Sequence, residues 1–283
     1  TFFLNTMEDK INIAIQGNRG SFHHVVAKQY YQREFSLVVC ETFDDTVEAL
    51  LNGTASQAVM AIENSIAGSI IPNYALIDRN QLQIVGEYGL SIHHQLMVLP
   101  GQKIADIKEV HSHPMALLQC KDFFHQHPHI RLVEADDTAD EARRIAENHL
   151  EGIGAIASQA AADLYGMEVV APSIQTIKNN VTRFVIIQSQ GQLIAQELIN
   201  KAALKFILDH QRGSLAAVLN VMSDCQLNLT KIQSLPVIET PGKYAFFVDV
   251  TFDDFAHYEK ARQLIAIMAS EFKILGEYTQ HQR

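Results

Sequence analysis

The stretch KNNVTRFVII (178–187) begins with polar residues and continues as a run of β-branched and aromatic residues. The apolar run predicts a buried strand. Two amides, a hydroxyl and a guanidinium stand at the start of that strand, from Asn179, Asn180, Thr182 and Arg183. Such groups orient a ligand by hydrogen bonds, and arginine binds carboxylates. Because side chains alternate along a strand, we expect Thr182 and Phe184 on one face and Arg183 on the other.

Four predicted strand-to-helix junctions also carry small polar groups: GNRGSF (17–22), ENSIAGS (63–69), HSHP (111–114) and AS (157–158). In parallel α/β sheets, ligands bind outside the carboxyl ends of the strands, where helix N-termini present unpaired N–H groups. The junctions therefore predict an anion site, with Arg183 as its cation. A serine at a helix start is more often only an N-cap, and each junction taken alone has that alternative.

Other residues suggest metal binding or nucleophilic catalysis, and for each of them we favour an ordinary structural role. His111 and His113 are one strand step apart, and three more histidines lie between residues 125 and 129, at a predicted helix end where histidine suits the helix dipole. We expect no metal site. Cys120 closes an apolar helical turn without a basic partner in the sequence, so it is predicted to be a core residue.

The elements that position these residues alternate between strands and helices. The predicted strands are INIAIQG (11–17), LVVCET (37–42), QAVMAIEN (57–64), LMVLPG (96–101), IKEVHSH (107–113), IRLVEA (130–135) and GIGAIAS (152–158). Helical segments lie between them, with predicted capping pairs Asp45/Glu48 and Thr138/Glu141. Short buried strands alternating with helices predict parallel sheets in an α/β architecture.

Two long extended runs predict two lobes. Residues 82–100 are expected to leave one sheet and enter another, and residues 171–188 to return. Two crossings between lobes leave a cleft, as in solute-binding proteins, with the polar stretch at its lip. After residue 190 the pattern reads βαββαβ, with a hairpin at ETPGK (239–243), which predicts a ferredoxin-like sandwich of about 80 residues.

Composition limits the classes of function. The 283 residues are 47% hydrophobic with a formal net charge of −10 and three cysteines. No window approaches the roughly 18 to 20 apolar residues of a membrane span, and an acidic chain without a basic run disfavours nucleic acid or anionic membranes as partners. The odd cysteine count without CxxC argues against disulfides and zinc clusters. The first ten residues lack the pattern of a secretory signal, so we expect a cytoplasmic location.

Taken together, five motifs resemble those of prephenate dehydratases in order and spacing: IENSIAGSI, HSHPMALLQC, DDTADEARRIAE, AIASQAAADLYG and NNVTRF. RGSLAAVLNVM and LNLTKIQSLP look like the ACT domain usually fused to that enzyme. The resemblance runs from residue 11 to about 280. It implies a two-lobed, periplasmic-binding-protein-like catalytic domain over 10–190, with a second lobe over about 92–175, and an ACT regulatory domain over 200–283.

The family reaction converts prephenate to phenylpyruvate by loss of carbon dioxide and water, and the resemblance implies no cofactor because aromatisation supplies the driving force. It places Thr182 at the leaving hydroxyl and Arg183 at a carboxylate. Glu63 is the nearest motif carboxyl that could supply a proton, with the alternative that it only orients Asn64. The implied substrate-binding residues are Asn64, Ser65, Ser21, Ser112, Gln119, Asn180 and Phe184.

The resemblance also implies control by L-phenylalanine. Open sheet edges, an apolar helix face and the aromatic strand YAFFVDVTF predict a homodimer or homotetramer assembled through residues 202–280. The implied effector-binding residues are Gly213, Ser214, Leu215, Asn228, Leu229 and Ser234. Gln233 and Leu235 stand where the family has glutamate and arginine, which leaves open whether phenylalanine inhibits. His23 replaces a family serine or threonine, and we expect it to act as a bulkier donor beside the substrate.

Two rival functions remain open at this point. Arogenate dehydratase acts on the amino-acid analogue of prephenate, and nothing in the sequence separates the two substrates. A non-catalytic small-anion-binding protein with a sensing domain is the alternative from another class.

Overall fold

The computed structural model describes residues 11–190, 194–209, 211–237, 240 and 242–280. The chain divides into two compact units, one of Thr1–Ile70 with Tyr88–Phe184 and one of Ile71–Glu87 with Val185–Arg283. The predicted domain boundaries, 10–190 and 200–283, remain predictions. The first ten residues, on which the signal-peptide prediction rests, lie outside the described residues, as do residues 239 and 241 of the predicted hairpin.

The part of the chain up to residue 91 contains, in order, β1 (Ile11–Gln16), α1 (Phe22–Tyr31), β2 (Phe35–Cys40), α2 (Phe43–Leu51), β3 (Gln57–Asn64), β4 (Gly68–Ser69), α3 (Ile71–Arg79) and β5 (Gln83–Ser91). β1 pairs in parallel with both β2 and β3, and β4 forms a short antiparallel pair with β3. The predicted strands are confirmed here. α3 was not predicted from the sequence.

The next part contains β6 (Gln95–Val98), β7 (Glu109–Ser112), α4 (Pro114–Gln119), α5 (Lys121–His125), β8 (Arg131–Glu134), α6 (Thr138–Glu147), β9 (Ile153–Ala157), α7 (Gln159–Tyr165), β10 (Glu168–Ala171) and β11 (Val181–Gln188). β6 to β10 form the second sheet, in the order β10-β6-β9-β7-β8. β11 returns to the first sheet, whose order is β2-β1-β3-β11-β5. The predicted double crossing between two sheets is therefore confirmed.

The prediction of parallel sheets is confirmed for only part of the second sheet. β7 is parallel to β8 and β9, whereas β6 is antiparallel to β9 and β10. A parallel neighbour needs a crossover connection, usually a helix. β6 arrives from the first sheet without such a helix, so it can lie antiparallel between β9 and β10.

Helices cover both faces of the second sheet. Leu96 and Val98 of β6 pack in one core cluster with Leu117 of α4, and Met97 packs in another with Ala142 of α6. Side chains alternate along a strand, so neighbouring residues of β6 serve opposite cores. Burial on both faces explains why this strand reads as continuously apolar.

The predicted capping pair of α2 is wrong by one turn. Thr42 is the N-cap, and its Oγ1 accepts a hydrogen bond of 3.1 Å from the N–H of Asp45. The Asp45 carboxylate accepts one of 3.0 Å from the N–H of Thr42. This reciprocal pair satisfies two free N–H groups of the first turn, which places Glu48 inside the helix.

The predicted capping pair of α6 is displaced by one residue. Asp137 is the N-cap, and its Oδ1 accepts a hydrogen bond of 2.8 Å from the N–H of Asp140. Burial raises the pKa of Asp137, with hydrogen bonds from backbone N–H groups acting in the opposite direction. Glu141 instead binds Arg144.

The last part contains β12 (Lys201–Leu208), α8 (Ser214–Asp224), β13 (Asn228–Pro236), β14 (Tyr244–Thr251), α9 (Phe255–Met268) and β15 (Glu271–Tyr278). The strands form an antiparallel sheet in the order β13-β14-β12-β15, and Val218 of α8 and Tyr258 of α9 share one buried core with Phe206 of β12. The predicted fold class is thus confirmed, with two α/β lobes and a βαββαβ sandwich. Among the described residues, none of the helices combines the length and apolarity that a membrane crossing requires.

Candidate active site

The start of β11 carries the predicted polar residues on the expected faces. Thr182 and Phe184 are buried, with 9% and 2% of their surface exposed, and Arg183 is less buried. The alternation predicted from the sequence is confirmed. Thr182 therefore faces into the protein, where a hydrogen bond to its hydroxyl meets little competition from water.

Asn64, at the end of β3, is held by the backbone that follows it. Its Oδ1 accepts hydrogen bonds from the N–H groups of Ile66, at 3.0 Å, and Ala67, at 2.9 Å. Because two donors fix the oxygen, the Asn64 amide has one orientation. Its Nδ2 donates to Oδ1 of Asn180 at 2.7 Å and to Oγ1 of Thr182 at 2.9 Å.

The hydrogen bonds continue from Asn180 into α4. Asn180 is fully buried, and its Nδ2 donates to Oε1 of Gln119 at 2.9 Å. The same Gln119 oxygen lies 2.9 Å from Nε2 of His94. We call Asn64, Thr182, Asn180, Gln119 and His94 the amide network. It joins β3, β11 and α4 without a charged side chain.

The amide network leaves donors for a ligand. The Thr182 oxygen accepts from Asn64, so its own proton remains to be donated. The Gln119 oxygen is occupied by Asn180 and His94, so its Nε2 is the end of the amide that remains for a ligand. Both groups favour an oxygen atom that gains negative charge during a reaction.

Ser65 supports β11. Its Oγ accepts a hydrogen bond of 2.9 Å from the N–H of Val181, and its own N–H donates to the Val181 carbonyl at 2.8 Å. The hydroxyl also lies 3.4 Å from the carbonyl oxygen of Asn179. These bonds fix the strand just before Thr182, while the predicted contact of Ser65 with substrate remains a prediction.

The serines at the other junctions bond to the protein. Ser21 is the N-cap of α1, and its Oγ accepts from the N–H of His24 at 3.4 Å. Ser112 is fully buried and donates to the Ile156 carbonyl at 2.7 Å. Ser21 is therefore an N-cap, neither serine has a hydrogen bond to the amide network, and their predicted contacts with the substrate remain predictions.

The junctions at 17–22 and 157–158 contact each other. Ser158 donates to the Gly20 carbonyl at 2.5 Å and accepts from the N–H of Ala161. Gly20 has a φ of +88°, and a Cβ there would lie 2.9 Å from the Cα of Ala161. Only glycine suits both the conformation and the space. The structure thus brings together two of the four predicted junctions from different sheets.

Glu63 and Arg183 form an ion pair, with Nε 3.7 Å from Oε2. Their side chains are 37% and 18% exposed. Arg183 follows Thr182 on β11, so the guanidinium lies on the opposite face from the hydroxyl. The structure therefore pairs two predicted catalytic residues with each other rather than with Thr182.

His23 packs against aromatic rings, and the expected donation to the substrate remains a prediction. Its Nε2 accepts from the N–H of Ala61 at 3.4 Å, and its ring lies edge-on to Phe184 and Phe43, at centroid distances of 5.0 and 5.6 Å. Burial lowers the pKa of His23 to about 4, so the ring is neutral near pH 7. It forms an apolar support behind Phe184.

The residues considered as metal ligands or as a nucleophile make contacts that are common in protein structures. His111 lies 2.9 Å from Glu109 and 3.3 Å from Glu141. Cys120 is fully buried, and burial raises the pKa of its thiol to about 12, which disfavours the reactive thiolate. Within the described ranges, His, Cys, Asp and Glu side chains do not gather in threes as metal ligands.

Part of the predicted effector site lines a pocket of about 150 Å³ at one end of the antiparallel sheet. Its lining residues are Leu208, Asp209, Gln211, Ser214, Leu215, Gly242, Tyr244 and Phe246. Gly213, with a φ of +83°, opens α8 beside this pocket, and Ser234 pairs with Phe246 across β13 and β14.

Asn228 and Leu229 lie at the other end of that sheet. Asn228 pairs with Thr251, whereas Leu208 pairs with Tyr244, seven residues away along β14. Seven residues of strand span roughly 23 Å. One chain therefore does not place Asn228 in the pocket that Ser214 lines.

His94 was missed by the sequence analysis. The residue is one of two adjacent histidines in the extended run between the lobes. Strand alternation says that only one of the two faces inward, but it does not say which one, nor that Gln119 would meet it.

Comparisons with known proteins identify a family and several similar solved structures. The family model described as prephenate dehydratase matches residues 13–192. The Arabidopsis thaliana protein named arogenate dehydratase/prephenate dehydratase 2, chloroplastic, is 35% identical over 281 residues, which cover 95% of this chain and 73% of that protein.

Two solved structures are similar over 95% of this chain, each with a TM-score of 0.85. One is the prephenate dehydratase from Arthrobacter aurescens in complex with L-Phe, at 25% identity and 90% coverage of that chain. The other is described as GqqA, a novel type of quorum quenching acylase, at 27% identity and 98% coverage.

Proposed function

We propose, since the chain belongs to the prephenate dehydratase family, that it converts prephenate to phenylpyruvate. The family places it among the lyases, and cleavage of a carbon–oxygen bond is the finer proposal. The observation that carries the site assignment is the bond from Asn64 Nδ2 to Thr182 Oγ1 at 2.9 Å. Because the Thr182 oxygen accepts this bond, its own proton is available for donation to a ligand.

The reaction needs one proton and no electron acceptor. When the ring carboxylate leaves as carbon dioxide, its bonding electrons enter the ring and expel the C4 hydroxyl, which takes up a proton to leave as water. The ring becomes aromatic, which drives both departures. The protein must therefore bind two carboxylates and stabilise negative charge at the departing oxygen.

Thr182 is the group we assign to the departing oxygen. A threonine hydroxyl is a weak acid, so it stabilises the leaving group by a hydrogen bond, or relays a proton, instead of acting as a free acid. The bond from Asn64 increases the polarity of the hydroxyl, because hydrogen bonds in a chain polarise one another. The amide Nε2 of Gln119 supplies a second donor for the substrate.

Arg183 is proposed to bind a substrate carboxylate. Its Cβ faces away from the Thr182 hydroxyl, but β11 begins only at Val181, so the long side chain can reach around the end of the strand. Its guanidinium has five donors, and one edge faces Glu63. Glu63 then holds the guanidinium in place and balances its charge in the free enzyme. Arg183→Lys is expected to raise KM, because an ammonium does not reproduce the bidentate geometry.

The direct test is the formation of phenylpyruvate from prephenate by purified protein. Arogenate is tested in parallel, because the Arabidopsis relative carries both names. The ratio of kcat/KM for the two substrates decides which one the chain prefers. A protein that binds prephenate in calorimetry but releases no phenylpyruvate would overturn the proposal in favour of a binding protein.

Acylase activity, named in the description of the GqqA structure, is a third function to be tested with the same purified protein. An acylase that uses a threonine needs a base beside the hydroxyl. The Thr182 hydroxyl instead accepts a hydrogen bond from an amide. We therefore expect no acyl-group hydrolysis at a rate that depends on Thr182.

We also propose that the βαββαβ part is an ACT domain that binds L-phenylalanine between two copies of the chain. The Arthrobacter aurescens structure is named as a complex with L-Phe. In this chain, Asn228–Leu229 and the Ser214 pocket are at opposite ends of one sheet. A two-fold dimer or a tetramer of such dimers can bring one end of each sheet to the other end of its partner's.

Two measurements test this assembly. Sedimentation at micromolar concentration should give a dimer or tetramer, and a monomer would overturn it. Calorimetry with phenylalanine should give heat for the wild type and weaker binding for Asn228→Ala, with uninhibited turnover preserved. Absence of heat at millimolar phenylalanine would leave the sandwich as an assembly module only.

A cytoplasmic location belongs to the same proposal. All three cysteines are free and buried, as expected in a reducing compartment. The Arabidopsis relative is named chloroplastic, so fractionation of the source cells is the measurement that decides.

A further inference from the structure

His94 is the buried end of the amide network. Only 4% of its surface is exposed, and its backbone N–H donates to Oε1 of Gln175 at 3.0 Å. The edge of its ring contacts Phe22 at a centroid distance of 5.7 Å. Its Nε2 lies 2.9 Å from Oε1 of Gln119. Among the described residues, no hydrogen-bond partner reaches its buried Nδ1.

The direction of every bond in the network follows from Asn64. Backbone N–H groups hold the Asn64 oxygen, so its nitrogen must donate to the Asn180 oxygen. The Asn180 nitrogen must then donate to the Gln119 oxygen. That oxygen has no hydrogen, so His94 must donate to it from Nε2, which fixes the imidazole tautomer.

We propose that His94 is a positioning residue that holds the amide of Gln119 with its N–H groups toward the substrate. Without the donor at Nε2, the Gln119 oxygen keeps only the bond from Asn180. The amide can then turn about its last side-chain bonds, and the substrate meets a carbonyl oxygen in a fraction of molecules. This inference rests on the proposed dehydratase function and adds the residue that sets the orientation of one donor.

Histidine suits this position for a physical reason. Burial lowers the pKa of His94 and outweighs the hydrogen bond that the ring donates to Gln119, which acts to raise the pKa, so the ring is neutral near pH 7. A neutral ring needs a partner for only one N–H group, and the buried Nδ1, which has no partner among the described residues, then carries no proton. The rigid ring, packed on Phe22, also defines the donor position better than a flexible chain would.

Three variants separate the donor from the mere presence of a side chain. His94→Gln keeps an N–H near the position of Nε2 and is expected to retain most of the wild-type kcat. His94→Leu and His94→Asn lack a donor at that position, and we expect kcat to fall roughly ten- to a hundredfold with a smaller change in KM. The matched control is His93→Leu, at the exposed neighbouring histidine, with kcat within about twofold.

The decisive experiment is a double-mutant cycle with Gln119→Leu. If His94 acts through Gln119, His94→Leu costs its full factor in the wild-type background and less than about twofold in the Gln119→Leu background. Equal factors in both backgrounds, or a His94→Gln as slow as His94→Leu, would overturn the proposal. If His94→Leu does not fold, His94→Asn takes its place in the cycle, with thermal unfolding as the check on each variant.

The test also separates this inference from the proposed function. Wild-type protein that makes no phenylpyruvate rejects the function itself. Wild-type protein that is active, with equal factors in the cycle, rejects only the role of His94.

Discussion

Two buried polar clusters in this chain are built from different chemical groups. The amide network in the first unit contains only neutral side chains, joined by hydrogen bonds of 2.7 to 2.9 Å. The second unit contains an ion-pair cluster, formed by Lys201 with Glu87 and by Lys205 and Lys273 with Asp78, at 2.7 to 2.8 Å. The distances are alike, but the consequences of breaking a contact differ.

The neutral amides fix the direction of each hydrogen bond in the first cluster. The ion pairs of the second cluster stabilise the fold only when both partners are present. Because only one set of hydrogen-bond directions is allowed in the amide network, the network fixes which atoms face a ligand. It does so with neutral side chains only. A buried ion pair offsets a large desolvation cost, and loss of one partner leaves that cost behind. We therefore expect substitutions in the first cluster to change turnover and those in the second to change stability.

The largest effect on stability is expected at Lys201. The Lys201 and Glu87 side chains are 3% and 8% exposed, so Lys201→Met takes an ammonium away from a buried carboxylate. We expect the free energy of unfolding of the second unit to fall by about 3 to 5 kcal/mol, measured by urea denaturation. The double variant Lys201→Met/Glu87→Leu should recover much of this loss. A single variant as stable as the wild type would show that the pair is not desolvated in solution.

The largest effect on turnover outside Thr182 is expected at Asn64. Asn64→Asp keeps the oxygen that accepts from Ile66 and Ala67 but replaces the donor nitrogen by a second oxygen. Thr182 would then donate to that carboxylate instead of to the substrate, and we expect kcat to fall by roughly 10² to 10³. Asn179→Asp, at the exposed neighbour of Asn180, is the control and should stay within about twofold. A similar loss in both variants would mean that added charge alone explains the effect.

The two clusters should also differ in their response to acid. Burial acts to raise the pKa of Asp78, but hydrogen bonds from Lys205 and Lys273 outweigh it and lower the pKa below its usual value. A lowered carboxyl pKa gives stability that is fully present above the unfolded pKa, about 3.9, and is lost as pH falls through the folded value. We expect the free energy of unfolding of the second unit to decrease as the pH falls below about 4. Asp78→Asn should reduce the slope of this decrease with pH. An unchanged slope in that variant would assign the acid sensitivity to other carboxyls.

The smallest effect is expected at His23. Its pKa of about 4 keeps the ring neutral between pH 6 and 8, and its contacts are with Phe184 and Phe43. His23→Phe should keep kcat within about threefold and leave the pH profile over that range unchanged. A lost ionisation in the profile would show that His23 takes part in the proton transfer.

Local patterns explain what the sequence predicted well. The βαββαβ order depends on alternation within each strand and helical spacing within each helix, so it can be read without knowing any long-range contact. The same holds for Thr182 and Phe184 sharing a face. α3 was not predicted from the sequence because Ile71–Arg79 mixes polar and apolar residues and includes a proline at its second position.

The features that the sequence analysis did not predict depend on contacts between residues far apart in the chain. The donors and acceptors of the amide network come from Asn64, His94, Gln119, Asn180 and Thr182, and the Asn64–Asn180 contact joins residues 116 positions apart. Amides occur throughout the chain, and nothing local marks these as partners. The antiparallel placement of β6 has the same origin, because it depends on where the strand enters its sheet.

The most direct test of the account compares Thr182→Val with Thr182→Ser. Valine keeps the branched shape and removes the hydroxyl, whereas serine keeps the hydroxyl that accepts from Asn64. With prephenate as substrate, we expect Thr182→Val to lower kcat by about two or more orders of magnitude with KM little changed, and Thr182→Ser to retain a large part of the wild-type rate. A Thr182→Val protein that releases phenylpyruvate at the wild-type rate would contradict the assignment of this hydroxyl to the leaving group.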